Sequence, residues 1–403
     1  MLIIRSPDFF LFDVRLVYRI ASVAGALLVF TFSCKATARQ TIFVLVTIFA
    51  LFKGYDEVGR PVPVLKCTTL GSPTPCNILI TGANSGIGLA VAKELSNQGH
   101  EVLLACRNEK KCLSAIKKNK LDTSKATCKP GTMDLSSLSS IEKYVNKLKS
   151  SNKKLNYLIL NAGFTPSDNS TNFGIESGLA VMHYGHAHLV NLLRSQNMLS
   201  SNVRITLVSS DAMRLGAFHR SILDNEFGAG DLKGEITIGC KDKGGAVAPF
   251  CVPPVILKRG DMITSSYLSF LNFGSYTRAK LANVYFSREI VKQWSILSTS
   301  VMPGMVHTPM ATRSAPTLTG ILGKYQEAFM SILLRSTRSA ATIVLMAVQG
   351  AEEYPGAYFN GQGQPVPEYL LPQQVVEDKV QTQLWEITFE FLRTTNNAVT
   401  NEN

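Results

Sequence analysis

Charge is scarce in this 403-residue chain: 17% of its residues are charged against 45% apolar, which excludes an intrinsically disordered protein. Tryptophan is nearly absent, occurring only at Trp294 and Trp385. The 8 cysteines form no CxxC pair and no CxxC…HxxxH spacing, so neither a zinc finger nor a vicinal redox dithiol is encoded. Reduced, mostly buried thiols are the expected state. Glycine follows no collagen period, and no repeat of solenoid length occurs. The net charge of +12 invites an anionic partner, whether nucleic acid, anionic lipid or a phosphorylated cofactor. Without a long Lys/Arg run or an RNP-type signature, nucleic acid is the least favoured of the three. What is left is a folded, partly membrane-associated chain with enough residues for one large core.

Acidic residues are missing altogether between Asp13 and Asp56, while Arg15, Arg19, Lys35, Arg39 and Lys53 punctuate two uncharged stretches, 20–34 and 40–52. Each is shorter than the roughly 20 residues of a membrane-spanning helix. Residues 1–53 therefore read as a hydrophobic anchor with snorkelling Lys/Arg, against two alternatives: a secretory signal ending near Ala38, and an acid-poor organellar presequence. The endoplasmic reticulum membrane is the expected address, an organelle or the secretory pathway the alternative. Residues 54–75, with Gly54, Gly59, Pro61, Pro63, Gly71, Pro73 and Pro75, read as a linker.

From Cys76 onward the pattern alternates between apolar runs and amphipathic stretches. It predicts strands over 76–81, 101–106, 126–133 and 155–160, with helices over 86–98, 109–119 and 138–150. Such a rhythm implies an α/β fold, a single Rossmann-type doubly wound parallel sheet with helices on both faces. This domain spans 76–390, with an insertion at about 211–270 and a polar tail over 391–403.

After the first strand comes Gly82-Ala-Asn84-Ser85-Gly86-Ile87-Gly88, followed at once by a helical pattern. Glycines in a strand-to-helix turn let backbone approach a pyrophosphate, which then sits on the positive helix terminus. The GxxxGxG spacing resembles the short-chain dehydrogenase/reductase family. Further motifs follow in the family's order: Asp134-Leu135, Asn161-Ala162-Gly163, Val208-Ser209-Ser210, Tyr276-Thr-Arg-Ala-Lys280-Leu-Ala-Asn283 and Pro303-Gly304-Met-Val306-His-Thr308. The resemblance covers roughly 76–390, and Leu104-Ala-Cys-Arg107-Asn is most similar to retinol dehydrogenases and WW-domain oxidoreductase-like members. No WW-type tryptophan pair precedes the domain.

That resemblance implies a hydride transfer between nicotinamide and a carbonyl or alcohol. Tyr276 is the expected proton donor, Ser210 holds the substrate oxygen, and Lys280, one helical turn on, lowers the phenol's pKa and holds the nicotinamide ribose. Gly82, Asn84, Ser85, Gly86, Ile87, Gly88, Asp134, Leu135, Asn161, Ala162, Gly163, Pro303, Gly304, Val306 and Thr308 are expected to line the cofactor, with Tyr276 and Lys280. At the end of the second strand an NAD-specific site would place Asp or Glu; Ala105-Cys106-Arg107-Asn108 stands there instead. Arg107 can pair with a 2′-phosphate, which favours NADP(H) over NAD(H).

One position departs from the family. Met182 stands where a relay asparagine is expected in Met182-His183-Tyr184-Gly185-His186, and a thioether cannot replace an amide. The histidines there read as helical residues packed against neighbouring elements, and no metal is expected. The Gly/Pro-rich segment 228–260, between Ser210 and Tyr276, suggests substrate gating. The resemblance further implies that the apolar stretch 305–335 covers the substrate, a lipophilic one such as a retinoid, steroid or fatty aldehyde. An NADP(H)-dependent oxidoreductase is the expectation, with a non-catalytic NADP(H)-binding scaffold or sensor as alternative. A homodimer is open at this stage.

Overall fold

The computed structural model describes residues 61–69, 72–166, 171–173, 175–215, 257–258, 261–262, 273–314, 334–376 and 378–400. The hydrophobic segment 1–53, most of the insertion 211–270 and most of the lid stretch 305–335 lie outside the described residues.

Among the described residues seven strands form one sheet: β1 (Asn77–Thr81), β2 (Glu101–Ala105), β3 (Ala126–Thr127), β4 (Leu155–Leu160), β5 (Leu199–Val208), β6 (Leu297–Val301) and β7 (Tyr358–Phe359). Their spatial order is β7-β6-β5-β4-β1-β2-β3, and every neighbouring pair is parallel. This is the doubly wound arrangement, in which the chain's direction of progress reverses between β1 and β4 and leaves a crevice at their carboxyl ends. The expected strand over 126–133 shrinks to two residues. Pro130 has no N–H to donate and Gly131 follows it, so the ladder stops at this edge.

Strand β1 shows why the sheet is covered on both faces, since Ile78, Leu79, Ile80 and Thr81 are all fully buried. Ile78 and Ile80 join Val102, Leu104 and Ile159 under helices α1 (Gly86–Asn97), α2 (Glu109–Lys118) and α6 (Thr337–Gln349). Leu79, Leu158, Leu160 and Leu207 face the other way, toward α3 (Leu138–Lys149), α4 (Gly185–Ser195), α5 (Phe273–Trp294) and α7 (Asp378–Thr400). A π-helical turn, Ala180–Tyr184, leads directly into α4. Helix α7 extends through the residues read as a polar tail and buries Leu392 there. Trp385 and Phe389 of α7 meet Trp294 of α5 in an aromatic cluster, with Trp294 and Trp385 ring centroids 4.6 Å apart.

The expectation of reduced thiols is overturned. Cys67 is bonded to Cys76 and Cys112 to Cys128, leaving Cys106 as the free cysteine among those described. Spacing along the chain could not reveal this, because the sheet order, not the sequence, brings α2 beside the end of β3. Part of the segment read as a linker is also fastened to the domain. Leu65 is buried, its N–H donates to Gln98 Oε1 (3.1 Å), and Gln98 Nε2 donates to Pro63 O (2.9 Å). A short antiparallel hairpin, Cys67–Thr69 with Ser72–Thr74, completes it. Among the described residues no helix is long and apolar enough to cross a membrane.

Candidate active site

The crevice is built around backbone. Gly82 and Gly86 take left-handed φ values of 66° and 57°, which bend the chain from β1 into α1. Space matters as much as conformation: a Cβ on Gly88 would lie 2.5 Å from Asn161 Nδ2 and 2.9 Å from Gly82 O, so only glycine lets α1 approach β1 and β4. Helices α2 and α3 are capped by Asn108 and Ser137, whereas Ser85 makes no side-chain cap on α1. The first-turn amides of α1 are thus left for an anion, and no acidic side chain stands in that turn. A dinucleotide's pyrophosphate fits such a cradle.

Thr81 ties the cradle together. Its Oγ1 accepts from the Asn161 N–H (3.0 Å) and the Ala162 N–H (2.9 Å), while Asn161 Nδ2 donates to Thr81 O (2.9 Å). With both lone pairs used, the hydroxyl donates to His186 Nε2 (2.9 Å), and His186 Nδ1 then carries the proton given to Met182 O (2.9 Å). Burial lowers the His186 pKa to about 4, in keeping with that neutral tautomer. Sequence reasoning missed Thr81 and His186; the position of Thr81 directly before Gly82 is the signal that was available.

The opposite wall comes from 303–308. Thr308 Cγ2 would sit 3.2 Å from a Cβ on Gly86, so this loop crosses in front of the glycine turn. Arg335, also missed, holds it there: its guanidinium donates to Pro303 O (2.9 Å) and Gly361 O (2.6 Å), and its backbone pairs with Met305, His307 and Val306. At the β2 end, Met133 N donates to Cys106 O (3.0 Å), bringing the chain before Asp134 alongside the chain before Arg107. Arg107 is exposed. One carboxylate oxygen of Asp134 is taken up by the Ser136 N–H (2.9 Å) and hydroxyl (2.6 Å), and Leu135 is buried against Gly185.

Ser210, Tyr276 and Lys280 converge, as the motifs implied. Helix α5 presents Tyr276 and Lys280 one turn apart, both buried, with Lys280 Nζ 5.4 Å from the Tyr276 ring centroid. The Ser210 hydroxyl hydrogen-bonds the Tyr276 phenol and accepts from the Ala212 N–H at 3.2 Å. Lys280 Nζ donates to Val208 O (2.8 Å), and Ser209 Oγ donates to Lys280 O (2.7 Å), so β5 and α5 hold each other at the site. A buried ion pair between Arg278 and Glu176 (2.8 Å) pins the same turn from its other side. The Tyr276 phenol pKa runs against the expected lowering. Burial raises it, opposed by the Ser210 hydrogen bond, and burial also brings Lys280 down to about 8.

Met182 lies fully buried in the π-helical turn, and a Cβ on Gly163 would meet its sulfur and Lys280 Nζ, each at 3.2 Å. The side chain that replaces the expected amide is thus packing, set beside Lys280. Asn283, three residues beyond Lys280 of the Tyr-x-x-x-Lys pattern, brings an amide to the same place. It lies 3.4 Å from Val208 O, and with its nitrogen turned toward Met182 O the distance is 2.7 Å. The three histidines point apart: His183 to Thr388 of α7 (2.9 Å), His186 to Thr81, and His188 to Glu142 (3.3 Å).

Residues 76–222 match the short chain dehydrogenase family model. The WW domain-containing oxidoreductase of Gallus gallus is 29% identical over an alignment covering 84% of this chain and 72% of that protein. Retinol dehydrogenase 12 of Bos taurus is 28% identical, covering 78% and 85% respectively. A solved structure of a Mycobacterium Paratuberculosis protein aligns with a TM-score of 0.51 at 20% identity, covering 78% of this chain and 94% of that one, a likeness of fold.

Proposed function

We propose that this chain, whose residues 76–222 are a short chain dehydrogenase segment, is an NADP(H)-dependent oxidoreductase acting on a lipophilic carbonyl or alcohol. The observation that carries the reading is the convergence of Ser210, Tyr276 and Lys280 beside the glycine turn of β1 and α1. Each has a job a carbonyl reduction requires. The Ser210 hydroxyl, held by the Ala212 N–H, hydrogen-bonds the substrate oxygen; the Tyr276 phenol gives that oxygen its proton; the Lys280 ammonium stabilises the phenolate left behind. When bound, the nicotinamide cofactor supplies the hydride. Gly82, Asn84, Ser85, Gly86, Ile87 and Gly88 would hold its pyrophosphate, Asp134 and Leu135 the adenine side, and Asn161–Gly163 with Pro303, Gly304, Val306 and Thr308 the nicotinamide side.

Arg107 supports the choice of NADP(H), because it is exposed at the end of β2 where a carboxylate would otherwise accept the ribose hydroxyls. Lipophilic substrates are favoured by the exposed Met305, on the loop beyond Pro303, and Met310, in the short helix that follows it, and by the relatives named retinol dehydrogenase. Residues 1–53 would hold the domain at the endoplasmic reticulum membrane. A screen of the full chain with NADPH against retinal, ketosteroids and aliphatic aldehydes tests the reading by oxidation of NADPH. Turnover of at least one class is expected. Binding of NADPH with no turnover of any would favour a scaffold or sensor, the reading that Met182 supports.

A further inference from the structure

The described cysteines divide four to one: Cys67–Cys76 and Cys112–Cys128 are bonded, and Cys106 is free. Their Cα–Cα separations, 5.4 Å and 6.2 Å, fall inside the range that a disulfide requires. The two bridges join unrelated parts of the fold. Cys112, fully buried in α2, is tied to Cys128 just past β3, in the core on one face of the sheet. Cys67, in the hairpin before the sheet, is tied to Cys76 at the mouth of β1. A single pair brought together by sheet order could be a coincidence of packing between reduced thiols; a second pair, closing a segment outside the sheet, is a different event. Cys106 is no exchange partner for either, being buried with a thiol pushed up to about 12.

We propose that both bridges form in the cell and that the dehydrogenase domain therefore lies in an oxidising compartment, the lumen of the secretory pathway, across the membrane from the cytosol. In forming each bridge two thiols lose two protons and two electrons. The electrons pass by thiol–disulfide exchange to the disulfide of a dithiol oxidoreductase, which leaves as a dithiol. In the cytosol, glutathione and thioredoxin run that exchange backwards. The location bears on the site, because Cys112 follows Arg107 and Cys128 precedes Asp134, the two residues proposed for the adenosine side. It also decides which pool of NADPH the chain draws on. The bridges themselves are independent of whether the site is catalytic.

Two measurements on the full chain made in cells test this. With free thiols alkylated at lysis, a non-reduced tryptic digest should contain a peptide beginning at Cys112 joined to one containing Cys128, and a peptide spanning Cys67 and Cys76 carrying no alkyl group. A chain given an Asn-X-Thr acceptor after Asn403 should become glycosylated. Alkylation of all four cysteines before reduction would overturn the proposal, as would bridged cysteines on a chain whose acceptor stays bare while a lumenal control is modified. The pairing is read on the unsubstituted chain, so no variant needs to fold. NADPH titration of the purified chain gives a further readout: reduction should weaken binding several-fold.

Discussion

In the proposed reaction Tyr276 acts through one hydroxyl, whose removal is nearly free of volume change. Tyr276→Phe should keep the fold and the affinity for NADPH while turnover on the substrate found by screening falls at least about 100-fold, the lower end for general acid–base catalysis. Lys280 gives the pH dependence. Its pKa near 8, set by burial, means that carbonyl reduction should decline through a limb centred near pH 8 as the ammonium is lost, seen in a profile of kcat/KM. The same shift acts on stability with a defined sign. The unfolded lysine holds its proton to about 10.4, so between roughly pH 8 and 10.4 the unfolded state binds more protons and this residue's contribution to stability rises with pH. Arg107→Asp should shrink or invert a preference for NADPH over NADH, measured as the ratio of the two dissociation constants. The convergence of Ser210, Tyr276 and Lys280 could be anticipated because each stands in a short motif of fixed spacing. Met182 was legible only as a departure. That its side chain packs while its carbonyl takes the His186 proton depends on a π-helical turn, which the side-chain pattern does not encode.

The elements explain which parts of the site needed three dimensions to be found. Periodicity alone placed β1, β2, β4 and helices α1, α2 and α3, since each buries a regular face of apolar residues. It overextended β3, whose length is decided by Pro130 at an edge, and it had nothing to say about Arg335, which reaches the Pro303 carbonyl from a distant part of the chain. Helix α5 is held at the turn that carries Tyr276 and Lys280 by one buried ion pair, with Glu176 and Arg278 side chains each 6% exposed. Removing one partner leaves a charge buried without its counterion, at a cost of about 3–5 kcal/mol. Glu176→Ala should therefore lower the urea midpoint markedly. It should also reduce turnover beyond any loss in folded fraction, because Tyr276 and Lys280 flank Arg278. A melt indistinguishable from that of the unsubstituted chain would show that the pair contributes nothing.

Across the whole molecule the doubly wound sheet was readable because glycine turn, strand and helix alternate so regularly, whereas the disulfides were not, since they depend on which strands become neighbours. Closing a loop of the size between Cys112 and Cys128, 16 residues apart in sequence, is worth about 3 kcal/mol. Thermal melts with and without reductant should differ by several degrees on this account. Helix α7 has a consequence of another kind. It emerges from the ribosome after every strand of the sheet, yet it covers the aromatic side of α5 and supplies the Thr388 hydroxyl to His183. Until those residues are synthesised, Phe286, Trp294 and the π-helical turn lack this cover, so a nascent chain that already holds every strand of the sheet still exposes a sticky patch. A chain terminated at residue 377 should bind a hydrophobic dye and associate with holdase chaperones even though all seven strands are present.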